Sequence, residues 1–223
     1  MKWMYRTFYA LMFLPLVITL IALPILPDKV PMHYNLRNEI DRWGSKYESL
    51  ILPVLVIGMG LFLKSMSKLA SKKGNQNSNS NEKATILVGI ATLMLFNGMT
   101  YIFLYTGYVH AKVDIAHTVD FYKIIFIFMG VMLIMIGSIM PKLKMNSIAG
   151  LRTTWSMKNE TAWSLSQRFG GISLMITGLL VIIGCAFVFE EIGCLLFSMG
   201  LLVLDSIVSV IYSYFAYKKT QNT

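Results

Sequence analysis

The sequence predicts an all-α integral membrane protein with six transmembrane helices and cytoplasmic N- and C-termini. Of its 223 residues, 56% are hydrophobic and 14% are charged, and the mean hydropathy is +0.62. Soluble chains carry roughly 25% charged residues, so this composition excludes a soluble globular domain. Six apolar runs approach the roughly 20 residues that a helix needs to cross a bilayer, and the basic residues between them are unevenly distributed.

The six apolar runs account for most of the chain. They cover residues 8–26, 50–66, 84–108, 121–140, 172–189 and 192–214. The first run follows Lys2 and Arg6, but it is longer than the roughly 7–15 residues of a signal-peptide core and no small-residue cleavage pattern follows it. We therefore predict an uncleaved first span. Only Glu190 and Glu191 separate the last two runs, which predicts a tight helical hairpin.

The positions of Lys and Arg predict the orientation. With the N-terminus inside, fourteen basic residues lie on the cytoplasmic side and six on the external side. Because basic residues concentrate in short cytoplasmic loops, this imbalance places both termini in the cytoplasm. The net charge of +9 is then a topology signal that favours contact with membrane lipids, and we predict no direct nucleic-acid binding.

Polar segments divide the chain into three regions. Residues 1–66 hold the first two spans and an external loop, and residues 84–223 hold four spans with a cytoplasmic segment between spans four and five. Residues 67–83 lie between these regions and are rich in Asn, Ser and Gly, which cannot bury a core. We predict a flexible cytoplasmic linker there.

The polar segment 141–171 lies between the fourth and fifth spans. Asn159 is expected to cap a short helix that runs to Phe169, with Glu160 in the first turn. An apolar stripe and Trp163 would place this helix on the inner membrane face, before span five. Composition leaves two interpretations open, a membrane-surface connector and a functional site.

The same segment carries a set of residues that forms a family signature: Pro141, Lys142, Lys144, Asn146, Gly150, Leu151, Arg152, Thr153, Trp155, Trp163, Arg168 and Gly171. These residues resemble the signature of the SdpI family of bacterial membrane proteins, which is named for an immunity protein against a secreted peptide toxin. Thr154 stands where the family usually has Pro, and Gln167 where it usually has His. Any chemistry that depends on that His is therefore missing from this chain.

The external loop carries a second resemblance, to the short domain of unknown function that precedes the SdpI signature in many members. The matching positions are Pro31, His33, Tyr34, Asn35, Asp41, Trp43, Ser45 and Lys46, while Asn38 replaces a usual Gly. The Leu26–Pro27 and Val30–Pro31 bonds favour extended backbone, so we predict a structured, non-helical loop. Asp41 is expected to pair with either His33 or Arg42.

The family resemblance implies two candidate binding surfaces. The cytoplasmic surface would bind a protein partner through Asn146, Gly150, Arg152, Thr153, Trp155, Trp163 and Arg168. The external surface would face a toxin with His33, Tyr34, Asn35, Asp41, Trp43 and Lys46. Binding of lipid phosphate by Arg152, and a hydrogen-bonded cap over the bundle in the external loop, remain open as alternatives.

Other polar residues have positions or spacings that could serve a chemical role. Asp205 and Asn97 lie inside apolar runs, where an ionisable or polar side chain either marks a functional site or makes a packing contact. His110, Asp114 and His117 have a spacing that could hold zinc, but a solvated loop produces such spacing readily. We predict no metal, no cofactor and no enzymatic activity, since no nucleophile–base pair stands out.

The resemblance implies a multi-pass protein of the bacterial cell membrane that protects the cell against a secreted, membrane-active peptide toxin. It also implies signalling by sequestering a cytoplasmic transcriptional repressor at the membrane. The alternative is a small transporter or exporter of a peptide or lipid-like substrate. A transporter of this kind would favour an internal repeat, and none is evident.

Overall fold

The computed structural model describes residues 1–35, 37, 39–72, 78–110, 120–146 and 148–221. Within these ranges the chain forms six long helices and one two-stranded antiparallel hairpin. The elements are α1 Lys2–Ala22, β1 Lys29–Tyr34, β2 Ile40–Ser45, α2 Ile51–Lys72, α3 Ser78–His110, α4 Phe121–Ile139, α5 Glu160–Phe187 and α6 Glu191–Gln221. Short 3-10 turns at Lys46–Leu50 and Met140–Lys142 adjoin α2 and α4.

All six helices are long and apolar enough to cross a membrane, which confirms the predicted all-α class with six transmembrane helices. The candidate spans are 21 to 31 residues long, with a mean hydropathy between 1.6 and 2.5. Large apolar side chains remain exposed on their outer surfaces, as at Ile21 and Phe187, which are 70% and 83% exposed. Such surfaces suit contact with lipid, whereas water would penalise them.

The helices extend beyond the predicted apolar runs. α2 continues to Lys72 and α3 starts at Ser78, so only residues 73–77 of the predicted linker lie outside the described residues. Hydropathy marks only the part of a helix that crosses the hydrocarbon, about 30 Å of bilayer. In the polar turns at each end, the backbone N–H and C=O groups still form helical hydrogen bonds. The helix can therefore continue into the headgroup region.

The short helix predicted before span five is continuous with that span. Asn159 is its N-cap, as predicted, and its Oδ1 accepts the Ala162 N–H at 2.7 Å. From Glu160 the helix then runs without interruption to Phe187. Gly170 and Gly171 lie within it and do not break it, because both are buried against neighbouring groups. Whether its first turns lie at the membrane interface, as predicted for the short helix, stays a prediction.

The bundle consists of two three-helix groups joined by a contact between α3 and α4. In the first group, α1, α2 and α3 enclose Phe8, Met12, Val56 and Leu93, each at most 1% exposed. In the second group, α4, α5 and α6 pack together. Burial of these four side chains against one another fixes the relative positions of α1, α2 and α3.

Paired glycines bring α4 and α5 together. Gly130 lies against Gly178, and Gly137, seven residues later in α4, lies against Gly171, seven residues earlier in α5. A Cβ atom on Gly137 would lie 2.5 Å from the Gly171 carbonyl oxygen, and one on Gly130 would lie 2.7 Å from that of Gly178. Small residues allow this backbone approach where helices associate in lipid, so only glycine fits at the contact.

The connections lie at two opposite ends of the bundle. At the hairpin end, the Tyr122 hydroxyl donates to the Asn35 carbonyl at 3.2 Å, and the Glu191 N–H donates to Asp120 Oδ2 at 3.2 Å. The opposite end carries residues 143–159, which we call the α4–α5 loop. There the Lys144 N–H donates to Asn81 Oδ1 at 3.0 Å. These contacts fit helices that alternate in direction; which end faces the cytoplasm stays a prediction.

Candidate functional site

Asn146 folds the start of the α4–α5 loop into a compact turn. Its Oδ1 accepts the N–H groups of Ile148 and Ala149, both at 2.8 Å. Its Nδ2 donates to the carbonyls of Lys144 at 2.8 Å and Ala149 at 3.2 Å. The side chain is buried, at 7% exposure, and its amide hydrogen-bonds entirely within the loop.

Gly150 and Gln167 hold the next part of the loop against α5. Gly150 has a φ of +106°, and a Cβ there would lie 2.6 Å from Gln167 Oε1. The fully buried Gln167 side chain accepts the Leu151 N–H and donates to the Leu151 carbonyl, both at 2.9 Å. An amide supplies one donor and one acceptor together. Gln167 therefore anchors the loop backbone to α5.

Thr153 and Ser156 form a reciprocal turn that is attached to α6. The Thr153 N–H donates to Ser156 Oγ at 2.9 Å, and the Ser156 N–H donates to Thr153 Oγ1 at 3.0 Å. The buried Ser156 hydroxyl donates to the Leu151 carbonyl at 2.8 Å. Thr153 Oγ1 also lies 2.7 Å from Ser213 Oγ on α6. The signature Thr thus fixes the loop to the last helix.

Trp163 and Asn159 complete the attachment of the loop. The Trp163 ring is 2% exposed, and its Nε1–H donates to the Leu143 carbonyl at 2.8 Å. Asn159 Nδ2 donates to Thr220 Oγ1 at 3.0 Å, near the end of α6. Trp155 packs edge-on against Tyr214 with ring centroids 5.5 Å apart. The loop is therefore a fixed surface held by several helices.

Arg152, Lys158 and Arg168 point away from this framework. All three are exposed, and among the described residues none of their charged groups makes a hydrogen bond or an ion pair. Among the predicted partner-binding residues, the side chains of Asn146, Thr153 and Trp163 make hydrogen bonds within the protein. Arg152 and Arg168 are the predicted residues whose charges face outward. A guanidinium can bind a carboxylate or phosphate through two parallel hydrogen bonds.

The predicted external loop is the β1–β2 hairpin with the 3-10 turn after it. Asn35 closes the hairpin: its Oδ1 accepts the N–H groups of Arg37 at 2.9 Å and Glu39 at 3.0 Å. The strand register shifts on both sides of His33. Ser45 and Glu48 form a capping box at the start of the 3-10 turn. The hairpin that carries His33 is structured and non-helical, as predicted, and the short 3-10 turn follows it.

Contacts between polar side chains hold the exposed face of the hairpin. His33 Nδ1 lies 2.6 Å from Asp41 Oδ1, and both side chains are well exposed. Arg42 pairs with Glu48 at 2.5 Å instead of with Asp41. Of the two predicted partners of Asp41, the structure therefore selects His33. Lys46 pairs with Asp28 at 3.0 Å.

The two aromatic residues of the external signature differ in exposure. Trp43 is 49% exposed. Tyr34 is half-buried, and burial raises the pKa of its hydroxyl above the ordinary value. A cavity of about 270 Å³ lies beneath the hairpin, lined by Val30, Met32, Leu52, Phe103 and other residues of α2 and α3. Trp43, with the His33–Asp41 pair, is the outward-facing part of the surface.

The two intramembrane polar residues have different surroundings. Asn97 Nδ2 donates to the carbonyls of Leu11 at 2.8 Å and Leu93 at 2.7 Å, and its Oδ1 accepts the Tyr101 hydroxyl at 2.8 Å. Asn97 is thus a packing contact between α1 and α3. Asp205 instead accepts the Ser173 hydroxyl and lines a cavity.

Most of the three residues predicted as possible zinc ligands lie outside the part of the chain that the structure describes. Asp114 and His117 lie outside the described residues, and the side chain of His110 at the end of α3 is likewise not described. Among the residues that the structure does describe, no group of three or more His, Cys, Asp or Glu could hold a metal ion.

Comparison with known proteins matches both halves of the chain. Residues 10–57 match a domain of unknown function (DUF1648), and residues 142–213 match the SdpI/YfhL protein family. The immunity protein SdpI of Bacillus subtilis (strain 168) is 25% identical over 202 residues, which cover 90% of this chain and 89% of that protein. No solved structure matches. Both resemblances seen in the sequence are confirmed. Together with the six candidate spans, they identify a bacterial multi-pass membrane protein.

Proposed function

We propose that this SdpI-family chain is a membrane immunity protein that protects its cell against a secreted, membrane-active peptide toxin. The observation that carries the proposal is similarity to the immunity protein SdpI along 90% of this chain, with both signatures in the same order. The hairpin supports it because it offers a rigid, exposed surface to a peptide arriving from outside. Neither matching family description names an enzymatic activity.

The hairpin end is the proposed toxin-facing surface. The His33–Asp41 pair and Trp43 combine charge with an exposed aromatic ring, and exposed aromatic residues are favoured contacts at binding surfaces. Because the capping box and the Asn35 turn fix the backbone, loss of one exposed side chain should leave the fold intact. Binding would then cost little conformational entropy.

The loop end is the proposed surface for a cytoplasmic partner, by analogy a transcriptional repressor held at the membrane. The loop backbone is fixed to α3, α5 and α6, whereas the charges of Arg152 and Arg168 remain available. A partner with acidic side chains would complement them. Trp155 borders this surface and is half-buried against Tyr214.

The test is survival of a toxin-sensitive bacterium that expresses the chain and is exposed to secreted peptide toxins. We expect the wild-type chain to protect. His33→Ala should reduce protection, whereas Lys29→Ala should not, because Lys29 is exposed on the same strand and lies outside the proposed surface. The immunity proposal would be refuted if the wild-type chain is present in the membrane at normal levels and protects against none of the toxins.

The loop surface needs its own variants. We expect Arg152→Ala or Trp155→Ala to abolish protection or signalling while membrane insertion stays normal. Arg6→Ala is the matched control, since Arg6 is another exposed arginine near the loop end. If both loop variants insert and protect like the wild type, the loop is only a connector.

A further inference from the structure

A second cavity lies between the helices at the loop end and opens to the surface beside Ser206 and Val210, which are exposed. It has a volume of about 420 Å³ and is bordered by α3, α4, α5, α6 and the α4–α5 loop. Most of its lining is apolar, including Met140, Leu143, Leu174 and Val210. Its size lies in the range of small-molecule pockets, about 300–1,000 Å³. Neither the immunity proposal nor either signature assigns it a role.

One side of this cavity carries a polar group of residues from α6. Asp205, Ser206 and Ser209 all line it. Ser209 is 4% exposed, and among the described residues its Oγ has no hydrogen-bond partner. Asp205 Oδ1 accepts the Ser173 hydroxyl, and no described Lys or Arg forms an ion pair with the carboxylate. An unused buried hydroxyl beside a carboxylate is costly unless a ligand uses both.

We propose that this cavity binds an amphiphile with a primary amine head and an apolar body. The ammonium group would bind the Asp205 carboxylate and donate to the free Ser209 Oγ. Ser206 Oγ, which donates to the Leu202 carbonyl at 2.8 Å, can accept a further bond. An ammonium has three donors and no acceptor, so it matches three oxygen acceptors, while the apolar body fills the rest of the cavity.

The chemistry of the lining excludes other ligand classes. An anionic head would be repelled by Asp205, and a neutral chain would leave Ser209 without a partner and the Asp205 carboxylate with only the Ser173 hydroxyl. Calcium takes about six to eight oxygen ligands, and magnesium requires near-octahedral geometry. One carboxylate and two hydroxyls do not supply that number. A singly charged amine therefore fits the cavity best.

The test uses the full chain in nanodiscs and a photoactivatable dodecylamine whose diazirine is on the alkyl tail. We expect crosslinks on cavity residues such as Met140 and Leu174, mapped by mass spectrometry. Unlabelled dodecylamine should suppress them, whereas dodecanol and dodecanoate should not. Suppression by dodecanol equal to that by dodecylamine would overturn the proposal, because it would show an apolar cavity without head-group recognition.

Two variants separate binding from folding. Asp205→Asn keeps an acceptor for Ser173 but removes the charge, and should weaken dodecylamine binding by roughly tenfold to a hundredfold. Ser209→Ala removes a hydroxyl that has no partner in the described structure, so it should leave folding unchanged and weaken binding by roughly threefold to tenfold. Glu190→Gln, an exposed acid in the α5–α6 turn, should bind like the wild type.

Natural carriers of this head group are an aminophospholipid or a lysine of a membrane-embedded peptide. Phosphatidylethanolamine in the nanodisc and an apolar helical peptide with one lysine serve as competitors, and the one that suppresses crosslinking identifies the carrier. Equal crosslinking of Asp205→Asn and wild-type protein would refute the site. The readout is binding, so its outcome is independent of the survival assay.

Discussion

Gly137→Ala should destabilise the bundle because it forces α4 and α5 apart. The added Cβ would lie 2.5 Å from the Gly171 carbonyl oxygen, whereas real Cβ atoms essentially never approach within 3.0 Å. The obstructing atom belongs to backbone and cannot rotate away. The helices would have to separate by roughly half an ångström or more, and the packing on both sides of the contact would loosen.

The magnitude follows from two opposing effects. Overpacking of a tight contact costs about 1–3 kcal/mol, while replacing a helical Gly with Ala contributes up to about 1 kcal/mol of helix propensity. We therefore expect a net loss of about 1–2 kcal/mol in the free energy of unfolding. Gly171→Ala should behave similarly. The double variant should lose less than the sum, because one separation of the helices relieves both clashes.

The measurement is reversible unfolding in mixed micelles by added SDS, followed by helical circular dichroism. Gly200→Ala is the matched control: Gly200 lies in α6, and a Cβ there would meet nothing within 4 Å. The control should be as stable as the wild type or slightly more stable. If Gly137→Ala unfolds at the same SDS fraction as Gly200→Ala, the close approach of α4 and α5 is not a stabilising contact.

Three further predictions concern topology, the loop anchor and the thiols. A membrane-impermeant thiol reagent applied outside cells should label a cysteine that replaces the exposed Glu190, and should not label one that replaces the exposed Thr154. The reverse labelling pattern would show that the predicted orientation in the membrane is wrong. Gln167→Leu should increase protease cleavage of the α4–α5 loop, since the Leu151 N–H loses its partner at a cost of about 1–3 kcal/mol and the Leu151 carbonyl keeps only the Ser156 hydroxyl. Unchanged cleavage would show that Gln167 is not an anchor. Cys185 and Cys194 are buried, free thiols, so alkylation of the denatured, non-reduced protein should add two alkyl groups, and no addition would show a disulfide.

The spans could be predicted from the sequence because lipid imposes a strong constraint. Each crossing needs a long apolar run, and every run coincides with one helix of the structure. The cap at Asn159 could be predicted for a local reason, since its side chain bonds a backbone N–H three residues later. Helix ends were less predictable, because the polar turns of α2 and α3 carry no hydropathy signal.

Contacts between distant residues could not be predicted in the same way. Gln167 was noticed only as a departure from the family pattern, and its bonds to Leu151 depend on how the loop returns to α5. Ser213 and Thr220 resemble any other hydroxyl residues of a span. The glycine contact did leave a signal, namely glycines seven residues apart in both α4 and α5. Without knowing that these helices are neighbours, that spacing does not identify a contact.

The attachment of the α4–α5 loop to α6 has a consequence for biosynthesis. The loop residues Thr153 and Asn159 precede their partners Ser213 and Thr220 by 60 and 61 positions. At about 5–20 residues per second, the ribosome needs roughly 3–12 s to produce those partners after the loop itself. During that interval the loop has emerged without its final supports. A partner that recognises the finished surface would therefore bind completed chains and ignore nascent ones.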